Sequence, residues 1–468
     1  MVGILDWALI IIYMLSMVLV GVYFKTNDNM SDFAVADKKL GLSVLTATLL
    51  ATAIGGGSLT GSVGNSFASG LLEVPKIIIL LGINLFMALF VAKKMRNVGG
   101  FTAPELLGRV YGRRCQALGG LFCAIYMIGT GPTMQTIALG TCIHLLLGVN
   151  MQLGMIIGMG IVLMYTLSSG MWGVAMTDYV QFIFLAVGVL LATGIIYHGA
   201  GGWEGIVSSV PADHMKIDTS GALELICATS LPVLIDGNRY SRFFSAKDGN
   251  TARLATLIAS IPQSLILVMS LVMGLAAVNL LPAETPKDEV FATLLLSYLP
   301  TGIKGVCIAA LMAAIMSTAD SYMLTGATNL SMDLYKTYIN PKASDHHMVY
   351  VTKACILLVG LLGLALLLPD VIGVWTLSST AYVGGCLVPM LYGIFGKGKK
   401  SYTAALVAMI GGGMLAVVLD MNNFVFLGLP AIAYGILLSA VLFFGISLFA
   451  KDGRYVDVAN GGLNTSEQ

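Results

Sequence analysis

Apolar stretches of roughly 20 residues, each long enough to cross a hydrocarbon layer of about 30 Å, recur from one end of this chain to the other. Backbone surrounded by lipid must satisfy its own hydrogen bonds, so stretches of this kind fold as helices. The expectation is an all-α polytopic membrane protein of about thirteen transmembrane helices, at 5–24, 41–62, 73–93, 117–147, 150–169, 175–198, 221–237, 252–281, 302–333, 348–368, 371–395, 402–419 and 428–450. A shorter amphipathic segment, 287–298, is placed outside the membrane core. Only 10% of the 468 residues are charged, against roughly 25% in soluble domains. One transmembrane domain, 1–450, therefore accounts for the chain, followed by a polar tail, 451–468.

Charge placement sets an orientation. The stretch 5–24 carries Asp6 ahead of its apolar run, with no basic flank and no small-x-small cleavage site, so it reads as a retained helix and not as a signal peptide. With the N-terminus outside and the C-terminus in the cytoplasm, the cytoplasmic loops and flanks collect all of the 25 Lys and Arg except Lys76, Lys216, Lys287 and Lys304. The opposite orientation would invert the positive-inside rule. A net charge of +1 points to no nucleic-acid partner. The cysteines lie mostly within apolar segments without a C-x-x-C pair, and the histidines sit at segment ends, so packing is expected of the former and a metal site of neither. Trp172, Trp203 and Trp375 read as interfacial anchors.

Two helices carry breaks of the kind that mark substrate and ion sites in transporters. Gly55-Gly56-Gly57-Ser58 interrupts the second, and Thr229-Ser230-Leu231-Pro232 interrupts the seventh ahead of Asp236. If 5–24 is an extra helix, these are the first helices of two five-helix halves, 41–198 and 221–395, with 402–450 as extra C-terminal helices. In the ninth helix Ala314, Ser317, Thr318 and Ser321 share one face at i, i+3, i+4 and i+7. Their hydroxyls either glue helices together or, with carbonyls freed by the broken second helix, supply hard oxygen ligands to a small cation.

Asp320 adds a carboxylate at mid-helix, costly in a bilayer unless paired or bound to a cation. Asp178 either lies solvated near a helix end or helps to hold a second cation or a proton. Asp236 precedes Arg239 and Arg242 and is placed to pair with them, and Gln135 is placed to bond a solute or a neighbouring helix. No Walker loop, H-E-x-x-H, G-x-S-x-G or prenyl-diphosphate signature is present, so an enzyme or a channel ranks below a carrier.

The segments Ala51 to Gly64, Thr177-Asp178-Tyr179-Val180-Gln181, Asp236 to Lys247 with Arg242-Phe243-Phe244-Ser245-Ala246-Lys247, and Ala313 to Tyr335 with Met316-Ser317-Thr318-Ala319-Asp320-Ser321 together resemble the sodium:solute symporter family. The resemblance implies a leucine-transporter-type fold of two inverted five-helix repeats. It also implies sodium as coupling ion, no other cofactor, and a small-molecule substrate carried across the plasma membrane by a chain that works as a monomer. Sodium would be held by the carbonyls of Ala51, Ile54 and Ala314 and the hydroxyls of Ser317 and Thr318. A second sodium site would draw on Asp178 and Ser321, with Asp320 where several members carry a hydroxyl. A proton-coupled carrier titrating Asp178 or Asp320 is the alternative. The solute would lie near Thr52, Gly55, Gly56 and Ser58, with Gln135 and Asp236. The glycine-rich break is similar to the choline-transporter branch, but Ala53 stands where that branch has an aromatic ring, which removes one wall of a cation cage and leaves amino acids, carboxylates, sugars and vitamins.

Overall fold

The computed structural model describes residues 2–24, 29–365, 371–425, 428–453 and 455, with side chains left out at 365 and 371–376. Lys25, the Trp375 side chain, Arg454 and nearly all of the polar tail lie outside the described residues. In chain order the longer helices are α1 (Ile4–Tyr23), α2 (Leu42–Ala53), α3 (Gly56–Ser69), α4 (Glu73–Phe86), α5 (Arg113–Ile128), α6 (Met134–Leu147), α7 (Met151–Gly199), α8 (Thr219–Thr229), α9 (Gly237–Ser245), α10 (Gly249–Leu280), α11 (Val290–Tyr298), α12 (Ile303–Asn329), α13 (Asp345–Ala365), α14 (Val371–Phe395), α15 (Tyr402–Met421) and α16 (Ala431–Phe449). The described residues form helices, turns and isolated bridges, and no strand.

Eleven continuous helical segments among the described residues are long and apolar enough to cross a membrane, where hydropathy leads one to expect about thirteen. Two features account for the difference. The 49 residues of α7 would extend about 73 Å if straight, more than twice the hydrocarbon thickness. This one segment holds the helices expected at 150–169 and 175–198 and turns at Gly170, whose φ of 53° and ψ of −153° suit a residue without a Cβ. Tyr165 and Gly173, on either side of that turn, both lie against Gly21 of α1. The stretch expected at 41–62 is cut into α2, too short to span alone, and α3, which runs on toward α4 as the segment Gly56–Val98.

Burial orders the bundle. Every residue of α12 from Cys307 to Asn329 is buried, so this helix is enclosed by other helices on all sides and its polar residues never meet lipid. On α16, by contrast, Leu437, Val441, Phe444 and Leu448 are exposed at a spacing of three to four residues, which is a lipid-facing stripe. α1 is pinned to the start of α12 because the Asp6 carboxylate accepts the N–H groups of Gly302 at 2.7 Å and Gly305 at 2.8 Å. The segment expected at 287–298 folds as α11, burying Val290, Phe291, Leu294 and Leu295 where Gly64 of α3 packs against the Lys287 carbonyl.

Both expected breaks form. α2 ends at Ala53; Ile54 (φ −112°, ψ 64°) leaves the helical region, Gly55 is extended, and α3 restarts at Gly56. Pro232, lacking an N–H and crowding the carbonyl of the preceding turn, ends α8 in a short 3₁₀ turn, Leu231–Leu234. Asp236 then caps α9 by accepting the Asn238 N–H at 3.0 Å.

Candidate functional site

The break between α2 and α3 crosses α12 at its two hydroxyls. An interrupted helix leaves its last carbonyls without N–H partners, and here α12 supplies them. The Ser317 hydroxyl donates to the Ala51 carbonyl at 2.9 Å, and the Thr318 hydroxyl donates to the Thr52 carbonyl at 3.3 Å. Both hydroxyls also reach the Ala314 carbonyl at 3.2 Å. Gly55 makes the approach feasible, since a Cβ there would fall 2.3 Å from the Thr318 Oγ1. The ψ of 64° at buried Ile54 swings its carbonyl out of the helical direction. Ala51, Thr52, Ile54, Gly55, Ala314, Ser317 and Thr318 are thus gathered at one crossing. The two hydroxyls lie 2.9–3.3 Å from the carbonyl oxygens of Ala51, Thr52 and Ala314, close to the spacing that oxygens take around one hard cation.

The restarted helix is capped from a third side. Gln135 accepts the Gly56 N–H on its Oε1 at 3.1 Å and donates its amide to the Thr130 carbonyl at 3.2 Å, so one polar atom serves the restarted helix and the other the π turn of its own helix. Thr52 bonds back to the Thr48 carbonyl and meets α12 through its main chain. Ser58 is half-buried and donates to the Ala53 and Gly55 carbonyls, each at 3.2 Å. Gly57, next to it, is exposed with open space above it.

One turn further along α12 lies a different chemistry. Asp178, Asp320 and Ser321 are fully buried. Asp178 is not near a solvated helix end: its Oδ2 accepts the Thr48 hydroxyl and stands 3.6 Å from the Arg242 guanidinium. Arg242 also donates to Ser321, so it pairs with Asp178 and not with Asp236 as the sequence order suggests. Arg239 likewise turns elsewhere, to Asn84 at 2.6 Å. Asp320 accepts the Tyr165 hydroxyl at 2.9 Å. Gln181, from the same turn of α7 as Asp178, donates to the Tyr13 hydroxyl of α1 at 3.3 Å. Three oxygens of this pocket, Asp178 Oδ1, Asp320 Oδ1 and Gln181 Oε1, are buried without a hydrogen-bond partner. An orphaned buried acceptor costs about 1–3 kcal/mol, more when charged.

Asp236 stands apart from both groups. Its Oδ2 accepts the Tyr322 hydroxyl at 3.1 Å, Tyr126 stacks on Tyr382 with centroids 5.6 Å apart, and Tyr322 meets Tyr126 edge-on. A carboxylate at the second broken helix is therefore backed by three tyrosines. Sequence reasoning missed this cluster and the roles of Thr48, Gln181, Tyr13 and Tyr165. The i, i+3 spacing of Asp178 and Gln181 offers a signal for Gln181, and the mid-membrane position of Tyr13 and Tyr165, away from the interfaces where tyrosine normally anchors, offers one for the two rings.

Residues 33–412 match the pattern of the sodium:solute symporter family. The chain belongs to that family. This symporter is 26% identical over 430 residues to the human high affinity choline transporter 1, covering 84% of this chain and 73% of that one. It is 25% identical over 439 residues to the sodium/glucose cotransporter of Vibrio parahaemolyticus, covering 84% and 75%. Among solved structures it resembles the substrate-bound outward-open state of a Na⁺-coupled sialic acid symporter, with a TM-score of 0.85 over 97% of this chain and 100% of the other at 17% identity. The symporter's fold is of the leucine-transporter type.

Proposed function

We propose that this symporter uses the sodium gradient to import a small polar organic solute, an amino acid, carboxylate, sugar or vitamin, by alternating access. The observation that carries the reading is the bonding of the Ser317 and Thr318 hydroxyls to the carbonyls of Ala51 and Thr52 across the α2–α3 break. Sodium is held by the carbonyls of Ala51, Ile54 and Ala314 and by the two hydroxyls. Each hydroxyl exchanges a carbonyl for the ion and presents its own lone pair, so loading draws α12 and the break into one coordination shell. The solute lies against that break, near Thr52, Gly55, Gly56 and Ser58, with Asp236 at the second break. Gln135 contributes by holding Gly56 in place.

Sodium thereby raises solute affinity, and by linkage the solute raises sodium affinity by the same factor. Release follows when sodium leaves to a low-sodium cytoplasm. A second cation is held by Asp178, Asp320 and Ser321, a reading supported by the orphaned oxygens of the first two. The repeats are 41–198 and 221–395, with α1 and the segment 402–450 added outside them. The N-terminus faces out and the C-terminus faces the cytoplasm, on the strength of the basic loops. A monomer contains the whole of both sites.

Uptake by proteoliposomes under an imposed sodium gradient, with an imposed proton gradient as control, tests the reading. Sodium alone is expected to drive accumulation. Uptake driven by protons and indifferent to sodium would replace it with proton coupling through Asp178 or Asp320, and ion flux without saturable solute uptake would make the protein a channel. A thermal-shift screen of solutes with and without sodium identifies the substrate.

A further inference from the structure

The polar side of α12 does not stop at the cation sites. Ser317 and Thr318, Ser321, Thr325, Asn329 and Asp333 follow one another at three- to four-residue spacing, so they form a continuous stripe along one side of the helix. Thr325 donates to Asn238 at the start of α9 at 3.3 Å. Beyond Asn329 the helix widens into a π-helical segment, Leu330–Ile339, a feature common at functional sites.

At this end the stripe holds polar atoms that the packing leaves unserved. Asn329 is fully buried and meets only the weakly bonding Cys123 thiol; neither its Oδ1 nor its Nδ2 has any other hydrogen-bond partner. Asp333 is fully buried as well. Its Oδ1 accepts the Thr102 hydroxyl at 2.8 Å and the Gln116 amide at 2.9 Å, while its Oδ2 has no partner. That oxygen points over Gly120 of α5, where a Cβ would stand 3.2 Å from it. Among the described residues no basic side chain lies within ion-pair distance of Asp333; the nearby Arg109 is engaged by Glu105. A bilayer protein that merely needed to fill this space would use apolar groups, because a buried polar atom without a partner forfeits the hydrogen bond that water gave it.

We infer that Asn329 and Asp333 form a transient sodium site on the exit route, between the coupling site and the cytoplasm. The inference rests on the sodium-coupled reading and on the cytoplasmic placement of Lys336. Asn329 lies about 18 Å along α12 from Ser317, close to half the hydrocarbon thickness of about 30 Å, so an ion stepping to it has nearly left the membrane. Asn329 Oδ1 and Asp333 Oδ2, about one helical turn apart, supply two hard oxygens and a negative charge to an ion whose remaining ligands are water. The site lowers the barrier to release and, by the same token, is where cytoplasmic sodium first rebinds.

Two variants test this, Asn329→Ala and Asp333→Asn, in right-side-out membrane vesicles with sodium set independently on each face. In both, the external sodium concentration for half-maximal uptake is expected to stay within about twofold, the maximal rate to fall about tenfold, and inhibition by internal sodium to need about tenfold more of the ion. Asn329→Ala removes an amide whose one partner is the Cys123 thiol and is expected to fold as well as the parent, so it keeps the test alive if Asp333→Asn misfolds. Unchanged rate and unchanged internal inhibition in Asn329→Ala would show the residue to be structural and overturn the proposal, as would external and internal sodium responses weakened together. Uptake by the parent protein that ignores sodium on both faces would instead sink the coupling reading itself.

Discussion

The crossing of the α2–α3 break with α12 and the pocket around Asp178 lie one helical turn apart and are built in opposite ways. At the crossing, both hydroxyls already bond to carbonyls, so the site is self-satisfied and a cation exchanges one set of oxygen contacts for another. In the pocket, Asp178 faces the Arg242 guanidinium at 3.6 Å, Asp320 accepts the Tyr165 hydroxyl, and three oxygens lack partners. A self-satisfied site fills and empties at small cost, which suits the ion that binds last and leaves first in each cycle. A pocket lined by two buried carboxyl groups in low dielectric holds a cation tightly, which suits an ion that loads early and sets the state of the bundle. The proximity of the two makes them communicate: Thr48 serves the pocket with its hydroxyl and accepts the Thr52 hydroxyl at its carbonyl.

The largest effect expected from breaking this contrast is on stability. Asp178→Asn removes the carboxylate that pairs with the buried Arg242 guanidinium, costing about 3–5 kcal/mol. Thermal denaturation in detergent reads this directly, and the double variant Asp178→Asn with Arg242→Met is expected to regain most of the loss. If the single variant melts with the parent, the pocket is not the charged, desolvated environment described here.

Next comes the crossing. Ser317→Ala together with Thr318→Ala removes two ligands without leaving a charge behind, so folding is expected to be nearly preserved. The external sodium requirement of uptake rises about 100-fold, at about 1.4 kcal/mol for each tenfold. A fold that collapses in this variant would mean that the hydroxyls are glue between helices.

Asp320→Asn sharpens the role of the pocket. The amide keeps an acceptor for Tyr165 but removes the charge, so sodium binding is expected to weaken about tenfold at one site, and the slope of uptake against sodium to fall from near two toward one. An unchanged slope assigns Asp320 to packing. The smallest effect is expected for Gln135→Leu, which leaves the Gly56 N–H unpaired at a cost of about 1–2 kcal/mol. The melting temperature should fall by a few degrees with little change in sodium dependence, and a selective loss of solute affinity would instead make Gln135 a direct ligand.

Much of this could be read from the chain alone, and the reasons for the remainder are physical. Hydropathy reports whether a stretch can lie in lipid, so the spanning segments are visible, and glycine or proline inside an apolar run marks both breaks. The stripe Ser317, Thr318 and Ser321 follows from helical periodicity. Azimuth and partnership do not follow. Arg242 stands three and six residues from Arg239 and Asp236, yet it pairs with Asp178 on another helix, because the capped turn at Asp236 aims α9 inward. Tyr13 and Tyr165 reach the pocket from α1 and α7 across long separations in the chain. The turn at Gly170 is hidden because the apolar run continues through it, and the burial of Asn329 and Asp333 depends on the unbroken enclosure of α12.

The most direct test of two cation sites is the equilibrium accumulation of solute in proteoliposomes held at zero membrane potential, measured as the sodium gradient is varied. Two coupled cations require the accumulation ratio to rise about 100-fold for a tenfold gradient, by the reciprocity of linked binding. A rise of only about tenfold would leave the crossing as the coupling site and contradict the assignment of a second cation to Asp178 and Asp320, and an accumulation ratio that ignores sodium would contradict both.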